Sequence, residues 1–137
     1  MITSEFEKSI LADLFNGASN VPSTLYIGLC NNEQVSRDMT LADLAEVTGT
    51  GYARIALSRG TVDWQTPVAQ SDSYSLTTAI KTFEALSNDW TEFNRMFLTD
   101  AASGTNGKLL AISTALPAPV TLASGKSFPT AFKLFLQ

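Results

Sequence analysis

The chain has 137 residues, of which 45% are hydrophobic and only 16% are charged, and its formal net charge is -4 at neutral pH. This length fits a single domain over residues 1–137 that buries enough surface to fold without a disulfide or a structural metal. The acidic balance, with no cluster of basic residues, argues against binding to nucleic acid and to an anionic membrane.

The residue types that common catalytic and metal sites need are scarce. Histidine is absent and Cys30 is the single cysteine. This removes the usual general base, the Ser–His and Cys–His nucleophile pairs and the commonest metal ligand. We therefore expect no enzyme activity, no cofactor and no metal site. Because Cys30 lies within an apolar run, we also expect its thiol to be buried and reduced.

The first predicted element is an amphipathic helix over residues 4–15. Phe6, Ile10 and Leu14 recur at four-residue intervals, and this spacing places them in one apolar stripe along the helix. The stripe either covers the core of its own domain or docks on a neighbouring subunit, and the sequence favours neither strongly.

The ends of this helix carry their own signals. Ser4 and Glu7 match a capping box at its start, and Asn16-Gly17 is suited to end it, so the helical part is 1–17. A loop at 18–23 then leads into the predicted β-sandwich region, 24–137.

Strand-like segments dominate this second region. The run TLYIGLC at 24–30 is almost wholly apolar, which predicts a strand covered on both faces at the centre of a sheet. Thr40 opens a short predicted helix in a loop between strands. Further strands are predicted at 51–58, 75–85, 92–100, 108–116 and 128–137. The pattern predicts a mainly β fold, an antiparallel β-sandwich or small barrel with an N-terminal helix.

Two glycine–lysine segments come close to the phosphate-binding loop G-x-x-x-x-G-K-[ST]. In the first, the initial glycine is replaced by Val120, and a strand pattern follows where a helix is required. In the second, at 103–110, Leu109 stands where Ser or Thr must hold the metal. We interpret both as turns, and we expect 123–126 to be a hairpin turn in which Gly125 supplies a backbone conformation that bulkier residues resist.

A carbohydrate site is a further hypothesis. Asp89 and Glu92 flank Trp90, and paired carboxylates beside an aromatic ring are typical of sugar-processing enzymes. Trp64 and Trp90 could instead stack on sugar rings in a glycan-binding module. A polar turn for the carboxylates and core packing for both tryptophans are the favoured interpretations.

The order of the segments carries more information than any of these candidate sites. It resembles a family of small structural proteins in tailed bacteriophage particles, with the densest matches at 24–30, 51–57 and 96–122. The segments that carry the resemblance are LFNGAS, PSTLYIGLC, GTGYARIALS, FLTDAASGTNGKLLAISTAL and VTLASGKSFPTAFKLFLQ.

The resemblance implies a non-enzymatic β-sandwich protein of the virion, made in the cytoplasm of the host bacterium. Our main expectation is a capsid decoration, or cement, protein that stabilises joints between subunits of the major capsid protein and assembles as a homo-oligomer, such as a trimer. The alternative is a tail or baseplate component whose partners are tail proteins. The residues expected to make subunit contacts are Phe6, Ile10, Leu14 and Phe135.

The chain departs from the commoner pattern of that family between 31 and 48. A polar loop and a short helix replace a brief acidic connection there, and this longer segment is either a partner-specific contact or an ornament. Asp38, Asp43 and Glu46 lie in it, but they lack the fixed spacing of a calcium-binding loop. We interpret them as solvated residues.

Overall fold

The computed structural model describes residues 1–17 and 21–136, so Gln137 and the part of the predicted loop at 18–20 lie outside the described residues. Helix α1 spans Ser4–Phe15, and a short 3-10 helix spans Leu41–Asp43. The strands are β1 Thr24–Cys30, β2 Ile55–Ser58, β3 Val68–Ala69, β4 Tyr74–Thr77, β5 Lys81–Glu84, β6 Arg95–Thr99, β7 Leu109–Ile112, β8 Ser127–Thr130 and β9 Lys133–Leu136.

The four-stranded sheet has the order β2-β1-β6-β7, and all its described pairings are antiparallel. The apolar strand β1 is central, as predicted. On one face Ile27 and Leu29 join the main core, and on the other Cys30 packs in a second cluster with Phe97. Gly28 makes this second packing possible, because a Cβ there would lie 2.2 Å from Cζ of Phe97.

The second layer is a long two-stranded ribbon that is bent in the middle. Strand β4 pairs with β9 and strand β5 pairs with β8, and the segments were predicted as single strands at 75–85 and 128–137. Three residues separate β4 from β5, whereas two separate β8 from β9, so the register shifts by one at the bend. The extra residue acts as a β-bulge, which bends the ribbon and explains why each predicted strand is interrupted.

Hydrogen bonds at the bend join the two strands of the ribbon. The Thr78 amide donates to the carbonyl of Phe132 at 3.0 Å, and the Phe132 amide donates to Oγ1 of Thr78 at 2.9 Å. Both residues are buried, and Phe132 joins Phe83 and Leu98 in the main core. The ribbon therefore packs on the four-stranded sheet, and the described sheets form an open antiparallel sandwich and no closed barrel.

Helix α1 has the predicted length, but its cap differs from the prediction. Thr3, not Ser4, is the N-cap residue, and its Oγ1 accepts from the Phe6 amide at 3.3 Å. Ser4 instead donates to the carboxylate of Asp38 at 2.8 Å. Gly17 follows the helix with a positive φ of 68°, in line with the predicted end.

Residues 1–3 continue the four-stranded sheet beyond β7. Ile2 forms a bridge with Ala111, the Thr3 amide donates to the Leu110 carbonyl at 2.9 Å, and the Ile112 amide donates to the carbonyl of Met1 at 2.9 Å. The outer edge of β7 is thus covered, which protects it from pairing with another chain.

The helix predicted after Thr40 is shorter than expected. It is a single 3-10 turn, in which the Thr40 amide donates to the Asp43 carboxylate at 2.8 Å. The chain then becomes extended, because Glu46 forms an antiparallel β-bridge with Cys30 and the Val47 amide donates to the Leu29 carbonyl at 3.0 Å. Pairing with the end of β1 thus prevails over the local helical pattern.

The turn at 123–126 was wrongly predicted to close a hairpin. Gly125 has the expected positive φ of 75°. However, Val120 before the turn bridges Phe93, whereas β8 after it pairs with β5. The two flanks have different partners, so the turn connects two parts of the sandwich.

Candidate interaction surfaces

The carboxylate–tryptophan segment has a structural role in the fold. Trp90 is 2% exposed, its indole Nε1 donates to the Thr50 carbonyl at 3.0 Å, and its ring packs edge-on against Tyr52. Asp89 accepts from the Ser124 amide at 2.8 Å and fixes the turn there. Trp90 therefore has no free face on which a sugar ring could stack.

The other candidate residues from this part of the sequence are dispersed. Glu92 is exposed, and Trp64 is half-buried against the main core. Asp43 caps its 3-10 helix, and Asp38 and Glu46 accept hydrogen bonds from other segments of the chain. Among residues 1–17 and 21–136, no group of three or more acidic or cysteine side chains is arranged to hold a metal ion. The described helices are also too short and too polar to cross a membrane.

Cys30 is fully buried, as predicted. Burial raises the pKa of its thiol to about 12, since a thiolate would lose its hydration in this apolar cluster. The nearby charge of Arg95 opposes this shift but is the weaker influence. At neutral pH the thiol is protonated and shielded from reagents.

Arg54 is the centre of a buried network that the sequence did not indicate. Its side chain is 2% exposed, and Nε and Nη2 donate to the two carboxylate oxygens of Glu46 at 2.8 and 2.7 Å. It also donates to the carbonyls of Ala101 and Gly104, and its guanidinium lies 5.2 Å from the ring centre of Phe97. Every contact serves the fold, because the network ties the β6–β7 turn to the segment beside β1.

The apolar stripe of α1 faces a groove of about 460 Å³ between the helix and the sandwich, which we call the helix groove. Phe6 and Ile10 are half-buried in it, whereas Leu14 is 71% exposed at its rim. No residue of α1 is fully buried. The helix groove is also lined by Val21, Pro22, Leu25, Trp64, Leu76, Leu98, Leu110 and Leu134. The stripe therefore contacts its own domain without filling the space beneath it.

Phe135 lies in a different groove of about 440 Å³, which we call the Phe135 groove. The described structure thus separates the four predicted contact residues into two surfaces. Phe135 is 48% exposed on the outermost strand of its sheet, beside the ammonium group of Lys133. The other principal lining residues are Phe93, Arg95, Met96, Leu116, Pro117 and Phe128.

Further apolar side chains are exposed near the end of α1. Leu11 is 59% exposed and Phe15 is 77% exposed, and both lie on a helix face that is turned from the sandwich. Leu11 and Phe15 are four residues apart and therefore adjacent on the helix surface, and neighbouring exposed apolar side chains are a feature of interaction sites.

A family model described as Gp80, podophage GP4 fiber I protein gp80, matches residues 1–133. No curated protein matches the chain. The match covers nearly the whole sequence, and the chain therefore belongs to this family of phage virion proteins. This confirms the expected phage structural protein. It does not support a capsid decoration protein, and it fits the tail alternative better.

Proposed function

We propose that this member of the podophage fiber I family is a non-enzymatic structural component of the tail fiber, with other tail proteins as its partners. The observation that carries the proposal is the family match over residues 1–133. The absence of histidine and the structural use of Asp89 and Trp90 support a role without catalysis.

The two apolar grooves support a role in assembly. The chain is poor in charge, and several large apolar side chains on α1 and β9 remain exposed to solvent. Burial of such side chains against other subunits contributes about 25 cal/mol for each Å² of apolar surface removed from water. A protein that is permanently held in an assembly can therefore keep a surface that would promote aggregation of a free monomer.

We assign the helix groove to the contact between copies of this chain. Leu14 lies at the rim of this groove and is 71% exposed. In the proposed contact, a second copy covers the Leu14 side chain. The test is Leu14→Glu, with Val62→Glu as the control, because Val62 is 86% exposed and does not line the groove. Light scattering should show a smaller particle for L14E and the wild-type mass for V62E. Equal masses for all three proteins would contradict this assignment.

The placement in the fiber is tested in the virus itself. A phage that lacks this gene is complemented with a tagged copy, and the protein is counted in purified particles relative to the major capsid protein. A tail fiber component should be present in far fewer copies than the capsid protein, and antibodies to the tag should label the tail by electron microscopy. Label over the whole head, with a copy number close to that of the capsid protein, would restore the decoration hypothesis.

A further inference from the structure

We propose that the Phe135 groove binds an acidic segment of a neighbouring virion protein, one that combines a carboxylate with aromatic or aliphatic side chains. This inference rests on the proposed function, since it identifies the chemistry of one partner contact in the fiber. The apolar floor of the groove, its two cationic side chains and the acidic character of the rest of the chain support it.

The floor of the Phe135 groove is apolar and preformed. The rings of Phe93 and Phe128 meet edge to face with their centres 5.1 Å apart, and Met96 and Leu116 extend this surface. The volume of about 440 Å³ lies in the range of about 300–1,000 Å³ that is usual for binding pockets. Apolar side chains of a partner would gain from burial here.

The charges at the groove have one sign. Arg95 and Lys133 are its charged side chains, and no Asp or Glu is among its lining residues in the described part of the chain. The chain as a whole carries a net charge of -4, so this cationic site is set within an acidic protein. An acidic partner segment would be attracted to the groove, although the net charge of the chain as a whole repels it.

Arg95 is fixed in place, although its charge is not neutralised. The guanidinium donates to the carbonyl oxygens of Asn32, Ser113 and Glu33 at 2.8, 3.0 and 3.1 Å. These acceptors are neutral dipoles. Among residues 1–17 and 21–136, no carboxylate lies within ion-pair distance of Arg95.

Arg54 differs from Arg95 in having a carboxylate partner. Arg54 is also hydrogen-bonded to carbonyls, but the carboxylate of Glu46 pairs with it in a bidentate arrangement. That pair is complete within the fold. A guanidinium that is preorganised by carbonyls and lacks its anion leaves an attractive site for a carboxylate from outside.

Lys133 is the more accessible of the two cations. Its ammonium group lies 5.1 Å from the ring centre of Phe135, and the side chain is exposed at the rim. A carboxylate of the partner segment would contact Lys133 at this rim, and apolar side chains next to that carboxylate in the partner would cover the ring of Phe135. Apolar and ionic recognition are thus adjacent in one groove.

Helix α1 of a second copy of this chain does not suit the Phe135 groove. The exposed apolar face with Leu11 and Phe15 also carries Lys8, which is three residues before Leu11 on the helix. The carboxylate of Glu7, four residues before Leu11, is already paired with Arg37 of its own chain. Docking this face into the groove would place Lys8 near Arg95 and Lys133, and like charges at an interface oppose association. We therefore assign the site to a different protein.

The test is charge reversal at Lys133 in the complemented phage. Lys126→Glu is the matched control, because Lys126 is also exposed and lies in the turn before β8, outside the groove. We expect particles to contain roughly tenfold fewer copies of K133E than of the wild type, since a reversed charge beside a bound carboxylate weakens a contact by about that factor or more. K126E should be incorporated like the wild type.

The readouts separate this inference from the proposed function. Absence of the wild-type protein from particles would contradict the proposed function itself. Normal incorporation of the wild type and of K133E would contradict the groove assignment alone. A smaller mass of purified K133E by light scattering would identify a second copy as the occupant and would overturn the assignment to a different protein. If K133E unfolds at a lower temperature than K126E, the comparison is repeated with the neutral variants K133Q and K126Q. We then expect fewer copies of K133Q than of K126Q in the particles. Equal incorporation of these two variants would contradict the groove assignment.

Discussion

Strands β7 and β9 are both four residues long, and each has three large apolar side chains, yet their surroundings differ completely. All four residues of β7 are buried, whereas none of β9 is. Strand β7 has β6 on one side and residues 1–3 on the other, and its two faces join two core clusters. Strand β9 is the outermost strand of a three-stranded sheet.

Apolar sequence thus has two different environments in this chain. In the four-stranded sheet it is buried in the core, and in the β3-β4-β9 sheet part of it, with Phe135 and Leu136, stays exposed. Phe97 and Phe135 represent the two cases, at 0% and 48% exposed. The following changes test whether the two regions divide stability and assembly in this way.

The largest expected effect is the loss of the Phe97 ring. Phe97 lies over Gly28 and beneath the guanidinium of Arg54, so Phe97→Ala removes the packing of two neighbours and leaves a cavity. We expect the free energy of unfolding to fall by about 3–5 kcal/mol, measured by urea denaturation. A loss below about 1 kcal/mol would show that the four-stranded sheet does not carry the stability assigned to it.

The Arg54 network should show the next largest effect. Glu46→Gln leaves the buried guanidinium without its anion, and we expect a loss of about 2–3 kcal/mol in the free energy of unfolding. The control is Glu92→Gln, because Glu92 is exposed, and such a surface change should stay within about 0.5 kcal/mol. Similar losses for the two variants would mean that the buried ion pair has no special role.

Asp63 joins β2 of the four-stranded sheet to β5 of the ribbon, and its contribution to stability should depend on pH. Its carboxylate accepts from the Lys81 ammonium group at 2.6 Å and from the Ser58 amide at 2.7 Å. These two hydrogen bonds, of which the one from Lys81 has the larger effect, hold the pKa of Asp63 below the usual value of 3.8. A lowered pKa in the folded state gives stability that is fully present above pH 3.8 and is lost as the pH falls through the folded-state pKa.

Asp63→Asn should therefore lower the melting temperature at neutral pH and should flatten its decline below pH 3.8. Thermal unfolding of both proteins from pH 7 down to strongly acidic solution checks this. An unchanged slope in the acidic range would show that Asp63 does not contribute to the acid sensitivity of the fold.

The smallest effect on stability is expected at Phe135. Because about half of its surface is exposed, Phe135→Ala should reduce the free energy of unfolding by less than about 1 kcal/mol. Its incorporation into particles should nevertheless fall, since the wall of the Phe135 groove is lost. A variant that is strongly destabilised, or one that is incorporated normally, would break the proposed division between the two sheets.

The elements whose signals are local could be predicted from the sequence. The apolar stripe and the terminal glycine identified α1, and the continuous apolar run identified β1 as a central strand, because both patterns depend only on neighbouring residues. The buried state of Cys30 followed from the same run. The order of these segments also indicated a phage structural protein, which the family match confirms.

Features that depend on pairing between distant segments are visible only in the tertiary structure. The bulge at the bend interrupts two predicted strands, and it forms where Thr78 meets Phe132, which lies 54 residues further along the chain. Pairing with β1 likewise limits the helix after Thr40 to one turn. Arg54 forms an ion pair with Glu46, whereas Arg95 has no carboxylate partner among the described residues, although both arginines lie in segments predicted as strands. Such differences arise where separate segments meet, so no local pattern could reveal which apolar and charged side chains the fold leaves for a partner.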